Sequence, residues 1–276
     1  MKSYFFIPAN KETFLENVSR LNASEFIIDL EDALFNKEIG QAIKNIDTYN
    51  ISPQCYIRIP FFSNRTNKQF NEIQSLFKAG FFRFVLPKIE TANDVKLFID
   101  FFQTINTTKS PELIVLIENP SAIEKLNKII ENKFIRGIAL GSHDYCAITG
   151  IKHSSENILW ARMQILNAGK AKTLEVIDIA SMTINDEAKF AIECIDGFEK
   201  GHDGKFIIHP WQLAVFNRQD WYSEREIQHA ISVKKHVENI KGVKNFSIAK
   251  IDGVIVEKPH LKRINEILKH TGNGSI

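Results

Sequence analysis

Glu118 and Asp144 carry the clearest chemical signal in this chain. Leu-Ile-Val-Leu-Ile over 113–117 leads into Glu118, and Ile-Arg-Gly-Ile-Ala-Leu over 135–140 leads through Gly141, Ser142 and His143 to Asp144. Runs this short and this rich in β-branched residues predict strands buried on both faces rather than helices. Asn119-Pro120 then pairs an N-cap residue with proline at the first helical position, so a helix opens directly after the first carboxylate. Strand, helix-length segment and strand form a βαβ unit, whose parallel strands deliver both acids to one rim. Two hard oxygen ligands there suit a magnesium ion, which usually keeps water or substrate in its other positions. The same acids also suit the plainer task of capping helices.

Other polar residues stand where further strands should end: Asp29, Glu31 and Asp32, then Arg58, Lys88 with Glu90, Asp178 and His209. Arg58 interrupts the apolar run 55–60, and a guanidinium in a buried strand needs an anionic partner. A substrate carboxylate would meet it with two parallel hydrogen bonds; Asp29, Glu31 or Asp32 would meet it as a structural ion pair. The two can alternate as substrate comes and goes. Lys88 reads as a Schiff-base nucleophile or as a cation paired with the rim acids. The ion pair is preferred, because a carboxylate-bound metal and a Schiff-base lysine are usually alternative means of stabilising an enolate. His143 stands beside Asp144 as a third ligand or a supporting contact, and with Gly141 and Ser142 it is assigned to substrate binding. His209 reads as a hydrogen-bonded structural residue, and no histidines have zinc-type spacing.

These residues need a frame that brings them together. Besides the two runs above, short apolar segments at 3–8, 25–30, 55–60, 83–88, 174–180 and 205–210 read as strands. Helical segments separate them, including 11–21 capped by Asn10, 93–103 and 156–171. Eight strands alternating with helices predict an α/β fold, a (βα)8 TIM barrel over 1–220 whose strand ends face one cavity. The competing doubly wound sheet lacks the glycine-rich phosphate loop such folds carry. Residues 221–276 form a C-terminal helical extension rather than an independent domain. Ser223 and Glu226 make a capping box for a helix to about 240, Gly253 marks a turn, Pro259 opens a last helix, and 270–276 is expected to be disordered. The extension reads as a lid, a subunit-exchange element or a pad on the barrel surface.

Composition narrows the function classes. The 276 residues are 44% hydrophobic and carry a net charge of +2 with both signs interspersed, so there is no electrostatic footprint for nucleic acid or an anionic membrane. The 21 phenylalanines predict a core rich in aromatic rings. Three cysteines without metal spacing point to a reducing compartment. No run reaches membrane-span length and the opening apolar run is too short for a signal peptide, so a cytoplasmic protein is expected.

Several motifs resemble the HpcH/HpaI aldolase and citrate lyase family, most closely its citrate lyase beta-subunit-like branch. They are Ser-Tyr-Phe-Phe-Ile-Pro-Ala-Asn at the N-terminus, Ile-Ile-Asp-Leu-Glu-Asp-Ala from Ile27 to Ala33, Tyr-Ile-Arg-Ile around Arg58 and Val-Leu-Pro-Lys-Ile-Glu-Thr-Ala from Val85. Leu-Ile-Glu-Asn-Pro, Leu-Gly-Ser-His-Asp-Tyr, Gly204 to Gln212 and Gly253 to Pro259 continue the match in order along almost the whole chain. The resemblance implies a TIM barrel assembled as a homotrimer or hexamer, with magnesium held by Glu118 and Asp144. It further implies that Arg58 binds the carboxylate of a 2-oxo acid, with Glu31, Asp32, Lys88 and Glu257 in the catalytic set. The implied reaction joins or splits an acyl thioester, on coenzyme A or an acyl carrier, and a 2-oxo acid, through a malyl-, citramalyl- or citryl-type 3-hydroxyacyl thioester.

Three positions depart from the family pattern. Glu257 stands where relatives usually supply an aspartate to a neighbouring subunit, Lys2 replaces an arginine, and Pro60-Phe61 replaces Asn-Gly. The metal and carboxylate positions keep the pattern, and the departures fall on the thioester side. Two other readings therefore stand beside the thioester lyase: an aldolase acting on a free hydroxy-oxo acid, and a non-catalytic small-acid-binding barrel or a subunit of a lyase complex.

Overall fold

The structure, a computed structural model, describes residues 1–32, 38–60, 67–105, 109–240 and 242–276. The motif residues Ala33 and Phe61 lie outside the described residues. Two compact units divide the chain, Met1–Arg218 and Gln219–Ile276. The first runs β1 (Lys2–Pro8), α1 (Glu12–Glu16), β2 (Glu25–Asp29), α2 (Ile39–Thr48), β3 (Tyr56–Arg58), α3 (Asn67–Lys78), β4 (Arg83–Leu86) and α4 (Ala92–Thr104). It continues with β5 (Glu112–Ile117), α5 (Pro120–Glu124), α6 (Leu126–Ile129), β6 (Ile135–Leu140), α7 (Ser142–Thr149), α8 (Leu159–Ala171), β7 (Glu175–Asp178), α9 (Glu187–Glu199), β8 (Gly204–Ile207) and α10 (Pro210–Asn217).

Strands β1 to β8 pair in sequence order, all parallel, and β8 closes on β1: a TIM barrel. Its interior holds Tyr4, Ile27, Tyr56, Val85, Ile114, Leu116, Ala139, Ile177 and Phe206. Side chains alternate along a strand, so parity places every other rim residue. Counting two from Ile27, Tyr56 and Leu116 reaches Asp29, Arg58 and Glu118 at the carboxyl ends. The alternation that fills the barrel with apolar groups therefore also aims these charges at its mouth.

The phenylalanines concentrate outside the barrel. Phe84 of β4 points outward, and Phe77 of α3 with Phe98 and Phe102 of α4 pack on it at ring distances of 5.2 to 6.0 Å. The helix caps largely follow the sequence: Asn119 accepts from the Ala122 amide, with Pro120 opening α5. The first helix departs from expectation, because its N-cap is Lys11, not Asn10, and it ends at Glu16. Three cysteines, Cys55, Cys146 and Cys194, are buried free thiols. Among the described residues no helix is long and apolar enough to cross a membrane.

The second unit contains α11 (Glu224–Asn239), β9 (Ile248–Ile251), β10 (Val254–Glu257) and α12 (His260–His270). Ser223 and Glu226 form the reciprocal capping box. Asp252 and Gly253 both take positive φ, the two-residue turn that matches the twist of an antiparallel hairpin. Val233, Val237, Phe246, Val256, Ile264 and Leu268 make its core. The tail is ordered, contrary to expectation: the Ile276 amide donates to Asn265 at 2.7 Å, and Lys234 Nζ donates to the Asn273 carbonyl at 2.7 Å.

Close packing inside the barrel yields a test. A Cβ on Gly204 would sit 2.5 Å from the ring of the fully buried Tyr4. Gly204→Ala is expected to cost about 1–3 kcal/mol, the usual range for overpacking, read as a lower urea midpoint. An unchanged midpoint would show that the Tyr4 ring moves aside freely.

Candidate active site

Neighbouring strands set the first contact. In the β2–β3 register Asp29 lies beside Arg58, and the two side chains meet in a fork: Nε to Oδ1 and Nη2 to Oδ2, each at 2.7 Å. Arg58 Nη1 also donates to Asp32 Oδ2 at 3.0 Å and lies 3.2 Å from Glu31 Oε2. The Phe6 ring faces the guanidinium at 4.9 Å. Burial alone would lower the Arg58 pKa, but Asp29, Glu31 and Asp32 outweigh it and hold the group charged. The structural ion pair expected as one alternative for Arg58 is thus present.

Lys88 adopts φ +54°, a left-handed conformation that is rare for a residue with a Cβ. That turn lets one residue serve two acids. Its amide donates to Glu118 Oε2 at 2.6 Å, and its Nζ lies 2.8 Å from Glu31 Oε1 and 3.8 Å from Asp32 Oδ1. Burial opposes the Lys88 charge, yet Glu31 and Asp32 raise its pKa. A Schiff-base nucleophile must be a free amine, so this environment fits the ion pair and not the nucleophile.

Glu118 is 3% exposed. Burial, then the nearby charges of Glu31 and Asp144, push its pKa up to about 8 against the opposing pull of the Lys88 amide and Arg58. Gly141 makes room for it, because a Cβ there would sit 2.4 Å from Glu118 Cγ and 2.5 Å from Oε1. Glu31 is likewise raised, first by burial, although Arg58 and Lys88 pull it down. Asp144 stands half-buried in the first turn of α7.

Asp29, Asp32, Arg58, Glu118, Gly141, Ser142, His143 and Asp144 line one cleft of about 290 Å³. Glu31 and Lys88 join this group through their ion pairs. Glu257 belongs to the second unit, exposed at the end of β10. Phe6, Met182, Phe206 and Ile208 are among the apolar walls, and none is singled out by the sequence. Inward parity with Tyr4 and with Phe206 itself could have found all but Met182. His153 was missed as well: its Nε2 lies 2.9 Å from Ser142 Oγ, and its ring stacks on His143 at 4.3 Å. It sits in an irregular loop, where no periodicity marks it.

Of the rim residues, Asp178 and Glu90 need correction, His209 is the hydrogen-bonded structural residue expected, and Lys2 can now be placed. Asp178 points outward, because its neighbour Ile177 takes the inward place; it is buried between Arg162 at 2.8 Å and Lys205 at 3.3 Å. His209 caps α10, accepting from the Trp211 amide. Glu90 is exposed and contributes only backbone to the loop before α4. Lys2 begins β1 and pairs with Glu175, which begins β7, so it stands at the opposite end of the barrel from the cleft.

Among the described residues no group of three or more His, Cys, Asp or Glu side chains could hold a metal ion. The pair Glu118 and Asp144 nonetheless fits a magnesium ion, which needs only one or two carboxylates. The fit rests on a buried carboxylate raised by two further acids, and on a glycine that leaves its side chain room.

A TIM barrel with an acid-rich cleft at the carboxyl ends of its strands is the class these observations define. Residues 2–210 match the model of the HpcH/HpaI aldolase/citrate lyase family, and the chain belongs to that family. Citrate lyase subunit beta of Leuconostoc mesenteroides subsp. cremoris is 28% identical, over 97% of this chain and 92% of the relative. Mitochondrial citramalyl-CoA lyase of Homo sapiens is 24% identical, over 95% of this chain and 83% of the relative. Among solved structures, protein CitE from Mycobacterium tuberculosis, in complex with magnesium, acetoacetate and coenzyme A, has a TM-score of 0.84, covers 98% of both chains and is 21% identical. That last likeness is one of fold.

The raised Glu118 pKa fixes a pH dependence. Between about 4.5, its ordinary value, and about 8, the native protein holds a proton that the unfolded chain has released, so stability falls as pH rises through that window. Glu118→Gln keeps an acceptor for the Lys88 amide but cannot ionise. In EDTA the variant is expected to gain thermal stability relative to the parent as pH rises from about 5 to about 8, within the window this titration spans. Parallel Tm curves for the two proteins would show that Glu118 titrates normally.

Proposed function

We propose that this chain is a magnesium-dependent carbon–carbon lyase. It cleaves, or in reverse forms, a 3-hydroxyacyl thioester of the malyl, citramalyl or citryl type, giving an acyl thioester and a 2-oxo acid. The observation that carries the reading is the single cleft lined by Arg58, Glu118 and Asp144 together. Relatives named citrate lyase subunit beta and citramalyl-CoA lyase along nearly the whole chain support it, as does a structural neighbour holding magnesium, acetoacetate and coenzyme A.

In this reading Glu118 and Asp144 hold the metal, which when bound supplies Lewis-acid polarisation of the oxo-acid carbonyl oxygen. Arg58 binds the carboxylate of the oxo acid, with Phe6 limiting its tilt. Ser142 and His143, on the first turn of α7, and Gly141 before it border the bound acid. For cleavage, the hydroxyl proton passes to a carboxylate, and the bonding pair leaves with the α-carbon of the thioester. Glu31 suits the first task, because its raised pKa brings it closer to neutrality than an ordinary carboxylate. Lys88 holds Glu31 in place, and protonation of the departing carbon completes the balance.

The segment 221–276 serves in this reading as an element exchanged with a neighbouring copy, in a homotrimer or hexamer, bringing Glu257 to that neighbour's cleft. Its hairpin supports this. Glu257 shares a face with Ile248 and Ile255, both 60% exposed, and β-branched side chains flanking a carboxylate favour burial against a partner. The name of the Leuconostoc relative favours a second reading beside the first, in which this chain works as one subunit of a lyase complex.

Malyl, citramalyl and citryl thioesters and, separately, free hydroxy-oxo acids are to be offered with magnesium, and the 2-oxo acid released is to be measured, with EDTA as control. Metal-dependent release of one oxo acid is expected. Glu118→Gln and Asp144→Asn should each reduce it by more than the roughly 100-fold that losing an outer contact of a metal site costs, with circular dichroism unchanged. Full activity in either folded variant removes the metal assignment. Release only from free hydroxy-oxo acids makes the protein a carrier-free aldolase, and none from any substrate makes it a binding barrel. Mixing Glu118→Gln with Glu257→Gln should restore part of the turnover if Glu257 acts in a neighbouring copy.

A further inference from the structure

Arg58 meets three carboxylates on unequal terms. Asp29 closes the edge formed by Nε and Nη2, and its side chain is 5% exposed. Glu31, at 3.2 Å, is 8% exposed. Asp32 holds Nη1 at 3.0 Å with a side chain 52% exposed, on the wall of the cleft and within 3.8 Å of Lys88 Nζ. A guanidinium binds a further carboxylate best through a free edge with two parallel N–H groups. With the Nε and Nη2 edge taken by Asp29, the edge left is Nη1 with Nη2, and Asp32 stands on its Nη1 end beside the buried Glu31.

We propose that Asp32 is a built-in stand-in for the substrate carboxylate: it pairs with Arg58 before the 2-oxo acid binds and is displaced when the acid arrives. The inference rests on the proposed role of Arg58 as the carboxylate binder. Exposure decides which acid yields. Releasing Asp29 would strand a buried charge, which is costly, whereas Asp32 rehydrates as it leaves, and an exposed ion pair is worth little. The exchange also conserves charge, since one carboxylate replaces another on the same nitrogen. Asp29 keeps the guanidinium in its fork orientation throughout, so the incoming acid meets a pre-aligned edge. Every ligand that needs that edge must compete with it, and ligands lacking a carboxylate gain nothing from its departure.

The test is calorimetric titration of pyruvate and glyoxylate into the full-length, magnesium-saturated protein, with magnesium affinity measured separately for each variant. Asp32→Asn and Asp32→Ala are expected to bind both acids about two- to fivefold more tightly, the span of one exposed ion pair. Pyruvamide, which lacks the carboxylate, should bind all forms alike. Arg58→Lys is expected to weaken pyruvate about ten- to a hundredfold, the worth of a charge-assisted hydrogen bond. Unchanged or weaker oxo-acid binding in both Asp32 variants, with Arg58→Lys weakened, overturns the stand-in and leaves the Arg58 reading intact. Equal tightening of pyruvamide overturns it too, since the effect is then one of space and not of competition. Unchanged affinity in Arg58→Lys overturns both.

Discussion

The pair formed by Arg58 and Asp29 is the contact on which the candidate site depends. It arises from register: two adjacent parallel strands place the residues side by side, both facing inward, at the carboxyl end of the barrel. Everything nearby follows from having one cation fixed there. Glu31 and Asp32 gather on it, Lys88 closes over Glu31, and the Lys88 amide orients Glu118. The group then holds five carboxylates, Asp29, Glu31, Asp32, Glu118 and Asp144, against two cations, Arg58 and Lys88. Burial first, and the neighbouring acids with it, raises the pKa of Glu118 and Glu31. The excess negative charge is what a divalent cation would neutralise, so the electrostatics and the proposed metal are two sides of one arrangement.

Two departures from local rules fall at the same place. Lys88 takes a backbone conformation that costs of order 1 kcal/mol or more for a residue with a Cβ, and Gly141 gives up a side chain where Glu118 needs room. Asn50, Thr173 and Asn185 also take positive φ, at turns away from the cleft. Conflict between local preference and observed structure is expected where function constrains the chain. Lys88 illustrates why: its amide and its ammonium face different acids, and only the left-handed turn presents both.

Much of the fold was legible because its signals are local. Eight short β-branched runs, the Asn119-Pro120 helix start and the Ser223 and Glu226 capping box each depend on residues within a few positions. The tail is ordered by contacts with Lys234 and Asn265, both outside the tail itself, which no composition argument weighs. His153 was invisible for a similar reason. It reaches Ser142 and His143 from a loop without periodicity, so only the folded chain brings the three together. The walls given by Phe6 and Phe206 were hidden by their type, since aromatic residues in a strand read as core.

Asp29 and Asp178 show what decides between a site residue and a structural one. Both close an apolar strand, after Phe-Ile-Ile and after Glu-Val-Ile, and nothing in the residue types separates them. In β2 the inward series runs Ile27 then Asp29, so the carboxylate faces the cleft. In β7 the inward place falls on Ile177, and Asp178 turns to the helical layer, where a Cβ on Gly197 would lie 2.4 Å from its Oδ2. There Arg162 and Lys205 neutralise it and, although burial opposes its charge, hold its pKa low. One residue of parity thus converts the same carboxylate from a partner of Arg58 into part of a closed salt-bridge network outside the barrel. Parity is set by the register of the whole barrel, which is why a list of acids at strand ends overstates a site until the strands are paired.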